Sequence, residues 1–85
     1  MIFKAEIDVM PLEALLDPQG KAVGSGLKNM GLDSLSEVRV GKHVAMRVEA
    51  DSEEQARKAV EEACSKLLAN PVMEFYRFEL MLLPS

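Results

Sequence analysis

Apolar and polar residues alternate from Ile2 to Met10, with Phe3, Ala5, Ile7 and Val9 on one face and Lys4, Glu6 and Asp8 on the other. A period of two is that of a half-buried strand, and Pro11 stops it. The pattern then turns helical. Val23, Gly26, Leu27 and Met30 recur at i, i+3, i+4 and i+7, behind an Asp17-Pro18 pair suited to an N-cap and a first helical position. Gly20, Gly24 and Gly26 each cost this helix about 1 kcal/mol relative to Ala, so tertiary or quaternary contacts must hold it.

Residues 35–50 read as a hairpin, with Val38 and Val40 on one face of its first strand and Val44, Met46 and Val48 on one face of its second. Arg39, Ala45, Arg47 and Glu49 take the other face. A loop of Gly41-Lys42-His43, or a bulge at Gly41, would bring apolar residues opposite apolar ones. The clearest element is a second helix, in which Ala56, Ala59, Val60, Ala63, Cys64, Leu67 and Leu68 make one continuous stripe. Ser52 and Gln55 form a capping box at its start; Asn70 is placed to cap its end, and Pro71 prevents continuation. Glu53 with Arg57, Glu54 with Lys58 and Glu62 with Lys66 are i, i+4 pairs on the wet side. A last strand, 74–83, carries Tyr76, Phe78, Leu80 and Leu82 on one face, while Phe75, Met81 and Leu83 make the other partly apolar too.

Strand, helix, hairpin, helix, strand is the βαββαβ order of a ferredoxin-like α+β domain, an antiparallel sheet with two helices on one face. A single domain over residues 1–85 is expected. The opposite face would carry Lys4, Glu6, Asp8, Arg39, Arg47, Glu49, Arg77 and Glu79 among Ile2, Met10, Phe75 and Met81. Both charge signs mixed with large apolar groups suit self-association, so a homodimer at least is expected, with dimer and tetramer both open.

Composition narrows the partners. A chain of 85 residues buries only about 60 to 65% of its unfolded surface, so the core is modest. Ten basic against fourteen acidic residues, a net charge of −4, disfavour a nucleic-acid backbone as ligand. No apolar run approaches the roughly 18 residues of a membrane span, and the alternating start is unlike a signal peptide. A cytoplasmic location is expected, and the single Cys64 agrees with a reducing compartment.

Chemistry is sparse. Asp17-Pro18-Gln19-Gly20 reads first as a helix start, though Gln19 and Gly20 would also offer polar groups and close backbone access to another subunit. A phosphate there would be repelled by Asp17. Arg39, Gly41 and Lys42 read first as a solvated turn, or as a basic tip facing an acidic partner surface or a phosphorylated ligand. His43, the one histidine, reads as a surface residue beside that turn, and Cys64 as a buried small hydrophobe with a suppressed thiolate. No serine or cysteine has an evident histidine base, no metal-ligand spacing is present, and the glycines fit no nucleotide loop. No catalytic, cofactor or metal residue is assigned, and no catalysis by the chain alone is expected. Acylphosphatase-like domains share the order of elements but need an arginine-bearing anion loop where this chain has Met10-Pro11-Leu12-Glu13-Ala14. RNA-recognition domains need exposed aromatics on strands, and 44–48 has none.

Asp17-Pro18-Gln19-Gly20, the glycine-spaced helix ending Leu27-Lys28-Asn29-Met30-Gly31-Leu32, and then Val38-Arg39-Val40-Gly41-Lys42 together resemble the PurS family. These are small accessory subunits of phosphoribosylformylglycinamidine synthase, and the similarity spans nearly the whole chain. The resemblance implies a noncatalytic, dimeric subunit of a glutamine-dependent, ATP-consuming C–N ligase in de novo purine synthesis. It would join a synthetase subunit, which holds ATP and magnesium, to a glutaminase subunit, and support ammonia transfer between them. Asp17, Gln19, Gly20, Arg39, Gly41 and Lys42 become contact or shape positions. An ACT-type small-molecule-binding regulatory module shares the element order and is the alternative. Such modules are usually tethered to a larger protein, whereas this chain opens directly in its first strand.

Overall fold

The alternating segment becomes the central strand β1, Ile2–Pro11, of an antiparallel sheet. The structure, a computed structural model, describes residues 1–84. Strands β2, Lys42–Glu49, and β3, Glu74–Leu82, flank it in the order β2-β1-β3. The register sets Ala5 between Met46 and Leu80, and Ile7 between Val44 and Phe78. Because side chains alternate across a strand, that register carries the apolar positions of all three strands to one face, as the sequence predicts.

Helix α2, Glu53–Ala63, covers this face. Ser52 Oγ accepts from the Gln55 N–H (3.2 Å), and Gln55 Oε1 reaches back to the Asp51 N–H (3.1 Å), a reciprocal cap. Ala56, Val60 and Cys64 pack with Phe3, Ala5, Ile7 and Val9 into the buried core. Burial pushes the Cys64 thiol up, so it sits there as a neutral hydrophobe. On the wet side the three i, i+4 pairs form as expected, at 3.5, 3.7 and 2.6 Å.

The end of this helix departs from expectation. Cys64–Leu68 is a π-helical turn, closed by the Ala69 N–H donating to the Cys64 carbonyl (3.0 Å). One extra residue in the turn rotates the chain beyond it. Leu67, expected on the apolar stripe, is 82% exposed, while Leu68 and Ala69 take its place against the core. Nor does Asn70 cap the helix: its Oδ1 accepts from the Val72 N–H (3.0 Å), shaping the turn into β3.

Helix α1, Pro18–Asn29, starts at the expected Asp17 cap with Pro18 in its first turn. It ends on Gly31 at φ +82°, where the Gly31 and Leu32 N–H groups donate to the Lys28 and Leu27 carbonyls, each at 3.0 Å. That double bond pattern needs a left-handed residue, the conformation glycine adopts freely. Of the residues in α1 only Gly20 is buried, and the helix packing on the sheet comes from α2. Val23 and Met30, which the periodicity places on one face, are exposed. The chain therefore has a radius of gyration of 16.5 Å, against about 12 Å expected for its length, and measures 51 × 29 × 14 Å. α1 stands out as an arm.

A second difference lies before β2. The α+β class and the antiparallel sheet are as predicted, but residues 38–40 form no strand and β2 opens at Lys42. The predicted first strand of the hairpin is bound instead to the start of α1. Arg39 consequently leaves the open sheet face, and His43, expected beside the turn, joins it opposite Asp8; Met81 and Phe75 lie there as expected, 64% and 45% exposed.

Candidate functional site: a clasp at the root of the α1 arm

The two polar motifs, about twenty residues apart in sequence, meet in space. Asp17 is placed by the extended backbone that caps α1, and its carboxylate has two tasks. Oδ1 accepts from the Gly20 N–H (3.1 Å) within the cap, and Oδ2 accepts from the Val40 N–H (2.8 Å) across the fold. These bonds, Val40 first and Gly20 second, hold the Asp17 carboxyl below the usual aspartate range. One side chain thus fastens the helix start to the segment entering β2.

Arg39 completes the clasp from the other side. Its Nη2 donates to the Leu12 carbonyl (2.7 Å), and Nη1 and Nη2 both approach the Leu15 carbonyl at 3.3 Å. Nε lies 3.9 Å from Asp17 Oδ2 with no hydrogen-bond partner, so toward Asp17 it acts through charge. The planar five-donor fork of Arg reaches two carbonyls of one loop in a fixed geometry, whereas the ammonium of Lys would offer its donors from a single nitrogen. The predicted basic tip is, for Arg39, an internal strut across the loop that joins β1 to α1.

The two motif glycines admit this approach. A Cβ at Gly20 would overlap Asp17 Oδ2 and the Val38 carbonyl, and a Cβ at Gly41 would overlap the Val9 carbonyl and Met10 Sδ. The Gln19 and Lys42 side chains make no bond in the clasp; both residues are exposed on its rim. Of the six positions singled out from the sequence, Asp17, Gly20 and Arg39 meet at the root of the arm, and Gly41 lies against the end of the central strand. Sequence reasoning missed the acceptors, because the Leu12 and Leu15 carbonyls have no side-chain signature. The depressions beside the clasp, about 300 and 400 Å³, are open to solvent. Among the described residues no group of three or more His, Cys, Asp or Glu is placed to hold a metal ion, and no helix is long and apolar enough to cross a membrane.

The sign of the Asp17 perturbation gives a prediction. Its folded value is lowered, so its contribution is present above the unfolded value and is lost as pH falls through the folded one. The Val40 and Gly20 amide resonances are expected to shift together below the ordinary aspartate range. In Asp17→Asn only one of the two acceptor oxygens remains, so one amide should exchange about tenfold faster or more. Both amides keeping wild-type protection in that variant would exclude the clasp.

Comparison with known proteins settles the family. The PurS model, described as phosphoribosylformylglycinamidine (FGAM) synthase, matches residues 4–82. The chain belongs to the PurS family. It is 45% identical over 67 residues to a phosphoribosylformylglycinamidine synthase subunit PurS from Synechocystis, covering 79% of this chain and 67% of that one. With the corresponding Bacillus subtilis subunit it shares 40% over 78 residues, 92% of each. A chain in the structure of PurLQS from Thermotoga maritima superposes with a TM-score of 0.88 at 33% identity, over 95% of this chain and 99% of that one. PurS membership supports the expectation drawn from the two motifs, and nothing supports the ACT-type alternative.

Proposed function

We propose that this PurS chain serves as the noncatalytic coupling subunit of phosphoribosylformylglycinamidine synthase in purine biosynthesis. It joins the synthetase and glutaminase subunits and supports ammonia transfer between them in the cytoplasm. The observation that carries the reading is the match to a chain of the Thermotoga PurLQS structure over 95% of this chain, at a TM-score of 0.88. Synthetase chemistry, with its ATP and magnesium, belongs to the larger partner. The chain's own contribution is geometric. A sheet open on one face and an arm fixed at its root present two separate surfaces, and a subunit that joins two proteins needs two. The open face, with mixed charges and the exposed Ile2, Phe75 and Met81, is the surface for a second copy of the chain. Asp17, Gly20, Arg39 and Gly41 set the angle of the arm toward the other subunits, while Gln19 and Lys42 on the rim offer direct contacts.

The reading is tested by amidating formylglycinamide ribonucleotide with purified synthetase and glutaminase, with and without this chain. Glutamine-dependent turnover is expected to require the chain, and turnover driven by free ammonium to be largely independent of it. Equal glutamine-dependent rates with and without it would sink the coupling role.

A further inference from the structure

The open sheet face holds one arrangement that neither the clasp nor the coupling role uses. His43, on β2, stands opposite Asp8 on β1, and its ring lies between two carboxylates of that strand. Nδ1 is 2.7 Å from Asp8 Oδ1, and Nε2 bonds the Glu6 carboxylate. A carboxylate accepts and does not donate, so both ring nitrogens must carry protons for both bonds to form. The geometry is that of an imidazolium strapped across Glu6 and Asp8.

The surroundings explain why a cation belongs there. Glu6 faces Glu79 of β3 directly across the ladder, a like-charge pair that is unfavourable unless neutralised. Lys4 Nζ approaches Glu6 from its own strand (3.2 Å), and Arg77 Nε of β3 approaches Asp8 Oδ2 (3.6 Å). Arg47 and Glu49, farther along β2, complete the charged positions of this face, whereas neighbouring Lys42 pairs with Val9 and so belongs to the opposite one. With His43 protonated, the positive and negative side chains on the face are equal in number. With His43 neutral, one negative charge is left over on each copy and one strap bond is lost.

We infer that His43 is a proton-operated strap on the open sheet face, which makes the face neutral and self-complementary for a second copy of this chain and weakens that association when it loses its proton. This rests on the homodimer reading above. Two copies related by a twofold axis bring identical patches into one interface, so the uncompensated charge of each copy is enclosed together with that of the other. Hydrogen bonds from the ring to Asp8, and then to Glu6, raise the histidine above its ordinary value, while the same bonds lower both carboxyls. The sign follows from these directions. The favourable contribution is complete below the ordinary histidine value and is lost as pH rises through the raised folded value.

Two measurements on the full chain separate this inference from the dimer reading. The one histidine yields a single pair of imidazole C–H signals, so its titration can be followed by NMR without sequence-specific assignment. The midpoint should lie above the ordinary histidine value in wild type and fall toward it in Glu6→Gln/Asp8→Asn. Sedimentation equilibrium across the same pH series should show self-association weakening about tenfold from about pH 6 to about pH 9. In His43→Gln that pH dependence should be absent. A midpoint at the ordinary value overturns the strap whatever the oligomeric state. A raised midpoint with pH-independent association overturns the link to the interface and leaves the dimer standing. A monomer at every pH overturns both the dimer reading and the link.

Discussion

Gly20→Val is expected to release the α1 arm while leaving the sheet and α2 folded. The new Cβ would overlap Asp17 Oδ2 and the Val38 carbonyl, so it presses on the carboxylate that caps the helix and on the backbone that this carboxylate holds. Overpacking of this kind costs about 1–3 kcal/mol, enough to break a junction built from a few hydrogen bonds. The core lies elsewhere, around Ile7, Val9, Val60 and Cys64, and loses no contact. Val40 and Gly20-flanking amides should lose protection about tenfold or more, and the far-UV signal should drop only by the share of one helix. Coupling of the synthetase and glutaminase should suffer severely, since the arm's angle is then free. A variant that retains wild-type amide protection and full glutamine-dependent activity would show that the junction does not orient the arm. Gly41→Val presses instead on the Val9 carbonyl and Met10 of the central strand, so it should lower global stability as well as disturb the adjoining junction.

Ile7→Ala is expected to act in the opposite way, lowering global stability while leaving the clasp's chemistry intact in whatever fraction stays folded. Ile7 is fully buried at the middle of the central strand, between Val44 and Phe78 and beneath α2. Truncating such a residue costs about 2–5 kcal/mol through lost transfer energy and the cavity left behind. For a small domain stabilised by roughly 5–10 kcal/mol that is a large share of the total. The urea midpoint should fall at unchanged slope, measured at fixed protein concentration because association adds to apparent stability. A midpoint within experimental scatter of wild type would mean that the cavity collapses or that the core is held mainly from outside the protomer. Together Gly20→Val and Ile7→Ala separate the role of Gly20 from that of the core: one alters where the arm points, the other how much protein is folded.

Much of the fold was legible because it depends on local periodicity. The alternation in β1 and β3 and the apolar positions of β2 survive in the register without change. The caps at Asp17 and Ser52 and the three exposed ion pairs of α2 also depend only on neighbours in sequence. The misses share a cause. Leu67 turned outward because one additional residue was accommodated in a π-helical turn, a shift of phase that no hydropathy pattern announces. Residues 38–40 have the composition of a strand, yet their backbone partner is the Asp17 carboxylate, and a bond between a side chain and a distant amide leaves no periodic trace.

The site divides along the same line. Sequence alone determined the strands, the amphipathic α2, the start of α1 and the two motifs that mark the PurS family, because each is encoded by residue type at short spacing. Tertiary structure alone decided that the motifs are halves of one junction, that Arg39 spans the Leu12 and Leu15 carbonyls, and that α1 stands away from the sheet. It also decided that His43 lies between Glu6 and Asp8. Each of these depends on which strands become neighbours and in what register, and pairing across long loops is set by the packing of the whole core rather than by any one segment.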